Sequence, residues 1–251
     1  MGAFSYEIVD GKIAVVTFSH PPVNALGLKE KEEATELFWN LENDESIGAI
    51  ILSSDPAVKG FSAGSDVKEL SNYGSATMAD YQDVDVAFLN CFRFSKVPLI
   101  AAVHGFAIAM GCAVAASCDI IISTPDALFG MPEIKVGMVG GEQYLARLMP
   151  DKKAHYLALT GNYITAEELY PFGQIHKLCE KDQLMEEALK VAREITTNHL
   201  TSVRFVKDCI NRRLPNTLGT ELQEIMDRYS RILTQDEERN KIISDFGKKD
   251  K

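Results

Sequence analysis

Short apolar runs alternate with helical periodicity along most of the chain. Tyr6–Val9 and Lys12–Phe18 flank Asp10-Gly11, the pattern of a hairpin. His20-Pro21-Pro22 closes the second run. Ala34, Leu37, Phe38 and Leu41 recur at helical spacing among Glu and Lys, which predicts an amphipathic helix over 29–41. Ile47–Leu52 reads as a buried strand, and 80–94 as a helix that ends ahead of Pro98. Leu99–Val103 is too short for an ordinary helix and lies between Pro98 and Gly105, so it reads as a strand buried on both faces; Ile120–Ile122 is another. Further on, Leu184, Ala188, Val191, Ala192 and Ile195 share one helix face, and positions 218–233 repeat that pattern more cleanly. Strands alternating with helices predict an α/β core built on crossovers. The polar segment Ser71–Ala79 is expected to be mobile. No internal repeat, low-complexity tract or Gly/Ser/Pro-rich linker interrupts the chain.

Two strand–glycine–helix junctions carry candidate chemistry. After Leu99–Val103 come Gly105, a small apolar loop, Met110-Gly111, and a helix made almost wholly of Cys, Ala and Val. The first N–H groups of such a helix lack intrahelical acceptors and carry the positive end of its dipole. Small residues here equally serve close helix–sheet packing. An earlier junction in the chain, Lys59-Gly60-Phe61-Ser62-Ala63-Gly64-Ser65-Asp66, follows the strand ending at Leu52, with Asp66 placed to cap Val67–Leu70. Two such junctions can supply two fixed N–H donors, which is what an enolate or thioester oxygen needs.

GFSAGSDVKEL, PLIAAVHGFAIAMGCAVAASCDIII and FGMPEIKVGM, in this order, resemble the crotonase (enoyl-CoA hydratase/isomerase) superfamily, and the likeness runs from Pro21-Pro22-Val23-Asn24-Ala25-Leu26 to the C-terminal helices. The resemblance implies an α/β spiral of ββα turns over 1–195, followed by a helical oligomerisation region over 196–251 that builds trimers or dimers of trimers. It implies an acyl-CoA substrate, with coenzyme A entering as part of that substrate, no separate cofactor and no metal. By motif, the oxyanion donors are the backbone N–H groups of Ser65 and Met110, so side chains there should matter only through size. Ala25, Ala63, Gly64, Asp66 and Gly111 fall in the substrate-binding stretches. Local sequence alone reads Glu133 as a surface carboxylate paired with Lys135; the resemblance makes it a catalytic glutamate. The family's other hydratase glutamate would stand two residues after Gly111, where this chain has Ala113. One carboxylate suffices to shuttle a proton between C2 and C4, so the expected activity is a Δ3–Δ2 enoyl-CoA isomerase. Hydratase, hydrolase, decarboxylase and non-catalytic acyl-CoA binding stand as alternatives.

Composition narrows the classes. The 251 residues are 46% hydrophobic and 25% charged with a net charge of −10, which speaks against a nucleic-acid surface and confines any CoA-phosphate contact to a local cationic patch. Lys29, Lys68 and Lys248-Lys249 are candidates for that patch, each equally at home as solvated surface charge. Five scattered cysteines (91, 112, 118, 179 and 209) read as reduced core thiols. Met1–Asp10 has no secretory pattern and no apolar segment is long enough to span a membrane. The expected location is therefore cytoplasmic, with an organelle matrix open if a targeting segment was removed. Three more residues compete for acid–base duty: Glu142 at a helix start, Asp66, and His104, whose simpler role is to satisfy a backbone carbonyl. Pocket walls are expected from Ser71–Ala79 and Met138-Val139.

Overall fold

The computed structural model of the protein describes residues 2–70, 78–137, 141–212 and 241. The chain opens with a hairpin of β1 (Phe4–Val9) and β2 (Ile13–Phe18), with Val9 opposite Ile13. Asp10 and Gly11 sit at φ 53° and 68°, the left-handed turn geometry that follows the twist of the strands.

One unit then recurs four times: a strand joins a long sheet, a shorter strand leaves it, and helical chain follows. The first unit is β2, β3 (Ala25–Leu26) and α1 (Leu28–Asn43); the second is β4 (Ala49–Ser54), β5 (Gly64–Ser65), α2 (Val67–Leu70) and α3 (Met78–Arg93). The third is β6 (Leu99–Val103), β7 (Phe106–Ile108) and α4 (Met110–Ser117). The fourth is β8 (Ile120–Ser123), β9 (Leu128–Gly130), a 3₁₀ turn (Glu133–Val136) and α5 (Glu142–Leu148). There follow α6 (Asp151–Thr160), β10 (Ile164–Thr165), α7 (Ala166–Leu169), β11 (Lys177–Leu178), α8 (Leu184–Thr196) and α9 (Leu200–Asn211). The leading strands form a six-stranded sheet in the order β1-β2-β4-β6-β8-β11, parallel from β2 onward. The shorter strands form the sheets β3-β5 and β10-β9-β7, joined by a bridge from Ser62 to Ala107. The expected spiral of ββα turns is therefore present. Its repeat lies in the topology, since the turns share no residue pattern.

Alternation within the central strands explains why they look uniformly apolar. Ala14, Val16, Ile50, Leu52, Leu99 and Ala101 enter the core shared with α1, α3 and α4. Ile13, Val15, Ala49, Ile51, Ile100 and Ala102 enter a second core on the opposite face, closed by Leu184, Ala188, Val191 and Ala192 of α8. Both faces of the central strands β2, β4 and β6 are thus removed from water, the normal condition of parallel strands. The periodic face of α8 covers the chain's own sheet. Polar anchors tie α9 to the spiral: Arg204 donates to the carbonyls of Glu42, Asp44 and Ile47, and Lys207 Nζ lies 2.7 Å from Asp119 Oδ1.

Element ends differ slightly from expectation. The 29–41 helix runs Leu28–Asn43 and the 80–94 helix runs Met78–Arg93. The strand expected from Ile47 starts at Ala49, because the Ile47 N–H closes a turn onto Asp44 O. Positions 71–77, Met138-Val139, the 218–233 face and Lys248-Lys249 lie outside the described residues. Among the described residues no helix is long and apolar enough to cross a membrane.

Candidate active site

The first junction is built by Asn24. This residue is fully buried at φ 53°, and its Nδ2 donates to the carbonyls of Phe18 and Phe61, 3.1 Å each. Its own carbonyl accepts from Ser62 Oγ at 2.7 Å, while Ser62 Oγ accepts from Gly64 N at 3.1 Å. Ala63 N donates to Val23 O, and β5 pairs in parallel with β3, Ala25 opposite Gly64 and Leu26 opposite Ser65. Phe61 to Ser65 are thereby held to the chain that precedes α1. Asp66 caps α2, its Oδ1 accepting from Lys68 N and Glu69 N.

The second junction turns at Ala109. Its φ of 52° and ψ of −124° are a conformation that L residues avoid, and such strain is kept only where surrounding bonds enforce it. Here Ala109 N donates to Gly130 O at 2.9 Å and Ala109 O accepts from Ala113 N at 3.0 Å. α4 then begins at Met110, with Gly111–Ser117 all buried. Burial leaves its dipole little screened, and Arg147 Nε caps the far end on Ala116 O at 2.7 Å.

The spiral brings the two junctions into contact. A Cβ added at Gly64 would lie 3.0 Å from Met110 N and 2.6 Å from Ala109 Cβ; one added at Gly111 would lie 2.5 Å from Ser62 O. Only glycine lets these backbones approach so closely. Parallel pairing of Ser62, β7 and β9 lines up the three segments that lead to Ser65, Met110 and Glu133.

Glu133 opens the 3₁₀ turn after β9, following buried Met131, and its Oε2 is shut off from solvent. Its charge is felt in the first turn of α4. Burial pushes the Cys112 thiol up to about 12, the Gly130 amide pulls it back, and the Glu133 carboxylate adds to the rise. Lys135 extends instead toward Asn162 Oδ1 (3.5 Å) and the Tyr163 ring. Ala113, 2% exposed, is part of the apolar core. Glu142 is the first residue of α5. His104 is buried with Nε2 3.1 Å from Val58 O and Nδ1 3.3 Å from Ser54 Oγ, and burial lowers its pKa, so it fills the carbonyl-satisfying role expected of it. Lys29 is exposed.

Sequence reasoning missed one cluster. Lys31 of α1 is fully buried, and its Nζ lies 3.1 Å from Ser65 Oγ, 2.7 Å from Tyr81 OH and 2.6 Å from Asp85 Oδ1. The Ser65 side chain is therefore engaged, not a matter of size alone. A signal was available: Lys31 falls three residues before Ala34 and seven before Phe38, on the buried face of the helix.

A ββα spiral whose second and third turns bring glycine junctions together beside a carboxylate is the architecture of the crotonase class. The sequence profile described as enoyl-CoA hydratase/isomerase matches residues 9–251, and the chain belongs to that family of acyl-CoA enzymes. It is 35% identical to a probable enoyl-CoA hydratase of Mycobacterium leprae, over 86% of this chain and 84% of that one. It is 30% identical to a short-chain-enoyl-CoA hydratase of Clostridium acetobutylicum, over 94% and 91%. The fold superposes on an enoyl-CoA hydratase structure from Bacillus anthracis with a TM-score of 0.90, covering 98% and 96% of the two chains at 24% identity.

Proposed function

We propose that this enzyme moves a proton on an enolisable acyl-CoA thioester, and that its preferred reaction shifts a double bond from C3–C4 to C2–C3. The thioester oxygen sits between the N–H groups of Ser65 and Met110, in walls formed by Ala25, Ala63, Gly64, Asp66 and Gly111. Glu133 takes a proton from C2, and the electron pair left behind moves into the thioester carbonyl. The two donors hold the oxyanion, in a site fixed before reaction begins. Glu133 then returns the proton at C4, where the C3–C4 π pair takes it, as the thioester carbonyl re-forms and the enolate electrons make the C2–C3 double bond. The observation that carries this reading is the close approach of the two glycine junctions, with Met110 N 3.0 Å from where a Cβ on Gly64 would lie. Coenzyme A enters as part of the substrate, and no step changes an oxidation state. In the same reading 1–195 is the spiral core and 196–251 the region through which copies assemble as trimers or paired trimers.

The isomerase preference rests on Ala113, whose buried methyl cannot orient a water for attack at C3 as a carboxylate there would. Hydration of a 2-enoyl-CoA is the second reading, and it is favoured by the names of both relatives above. It requires another acid beside Glu133, with Glu142 at the head of α5 the first position to test. Supplying hex-3-enoyl-CoA and hex-2-enoyl-CoA, with product identification, separates the two. Double-bond movement faster than hydration is expected; fast hydration without movement overturns the isomerase preference and leaves a hydratase.

A further inference from the structure

Lys31 occupies a position where the fold asks for an apolar side chain. It shares the buried face of α1 with Ala34, Phe38 and Leu41. That face packs on α3 through Phe38, Phe88 and Phe92, whose rings meet edge to face at 4.6 and 5.0 Å. Removing an ammonium from water is costly, and a buried ion pair is seldom more stabilising than well-packed apolar residues of similar volume. Packing therefore does not explain this lysine.

Its partners do. Three acceptors surround Nζ: Ser65 Oγ from β5, and Tyr81 OH and Asp85 Oδ1 from α3, with the Tyr81 ring centroid 4.3 Å away. An ammonium has three N–H groups and no acceptor, so all three are committed. One of them goes to Ser65 Oγ, 3.1 Å away. The Ser65 hydroxyl must accept this bond. Its side-chain rotamer, and with it the peptide that carries the Ser65 N–H, is tied to α1 and α3 at once. Covalent geometry keeps the ammonium within about 7 Å of that N–H.

We propose that Lys31, braced by Asp85 and Tyr81, is the positioning residue of the first oxyanion donor: it holds Ser65 through its hydroxyl and sets the backbone N–H at the thioester oxygen. This rests on the assignment of Ser65 N–H as a donor in the preceding section. Lysine at this core position then exchanges some fold stability for a fixed donor angle, and a misplaced donor loses transition-state stabilisation while still allowing substrate to bind. A displacement of about 1 Å in such a group can cost about 10² in rate.

The test uses Lys31→Met/Asp85→Leu, which replaces the ion pair with apolar groups of similar size, together with Ser65→Ala and the triple variant. kcat and KM are measured on hex-3-enoyl-CoA and hex-2-enoyl-CoA, with thermal melts as the stability control. The double variant is expected to melt at or above the wild-type temperature, with KM within about threefold and kcat reduced about 10–10². Ser65→Ala should show the same kcat loss, and the triple variant should fall no further, because both changes act through one hydroxyl. A stable double variant with wild-type kcat overturns the inference. If the double variant fails to fold, Ser65→Ala with wild-type kcat overturns it equally. Glu133→Gln run alongside separates the two levels. Loss of turnover there with full activity in the Lys31 variants leaves the enolate reading standing, whereas activity in Glu133→Gln removes the reading itself.

Discussion

Asn24 and Lys31 show how many elements a single buried side chain can tie together. Asn24 is fully buried, left-handed in φ, and bonded to Phe18 O, Phe61 O and the His20 N–H. Alanine there would leave buried carbonyls short of a donor and put a Cβ residue in a conformation asparagine tolerates better. Asn24→Ala should cost about 2–4 kcal/mol in urea denaturation; a midpoint unchanged from wild type would mean the turn is held elsewhere. Asn24 could be quoted from the sequence within its motif, but its three-way bonding could not be, since Phe61 comes close only once β4 and β5 are formed. Lys31 was legible in principle, as a charge on an apolar stripe. Its partners Ser65, Tyr81 and Asp85 come from two other elements, and sequence spacing does not encode that meeting.

At the scale of elements, the strand–glycine–helix junctions were readable because each is local: an apolar strand, a glycine, and a helix start with a cap or a run of small residues. Their convergence was not. It follows from consecutive ββα turns stacking so that Ser62 pairs between the two junctions, Ser62 N donating to Phe106 O and Ile108 N to Ser62 O. Gly111 is where that stacking tolerates least, with Ser62 O and Cβ 2.5 and 2.7 Å from an added Cβ. Gly111→Val must push α4 off the first junction and separate the donors, so turnover should fall by ~10²–10³, the usual loss of one oxyanion donor. Met110→Leu keeps the backbone N–H and should retain activity within a few-fold. Equal activity in the two variants would place the donors elsewhere. Element ends were legible to within a few residues. The start of β4 was missed because Ile47, apolar and buried, closes a turn through its N–H instead of joining the sheet.

For the whole molecule, α/β character was visible in the alternation of strands and helices, while the spiral itself required the family motifs. The physical reason is that strands buried on both faces lose their period-two signal. β2, β4 and β6 therefore read alike whichever core each residue enters. On the proposed reading, the fold carries three distant segments, around Ser65, Met110 and Glu133, to one place. What must hold for the proposed chemistry is that an enolate forms there and that Glu133 moves the proton. The most direct measurement is deuterium incorporation at C2 of hexanoyl-CoA in D2O, followed by NMR for wild-type protein and Glu133→Gln, with acyl-CoA affinity measured in parallel. Exchange by the wild type, reduced by ~10²–10⁴ in Glu133→Gln at unchanged affinity, is the predicted result. Exchange that persists at the wild-type rate in Glu133→Gln would contradict it.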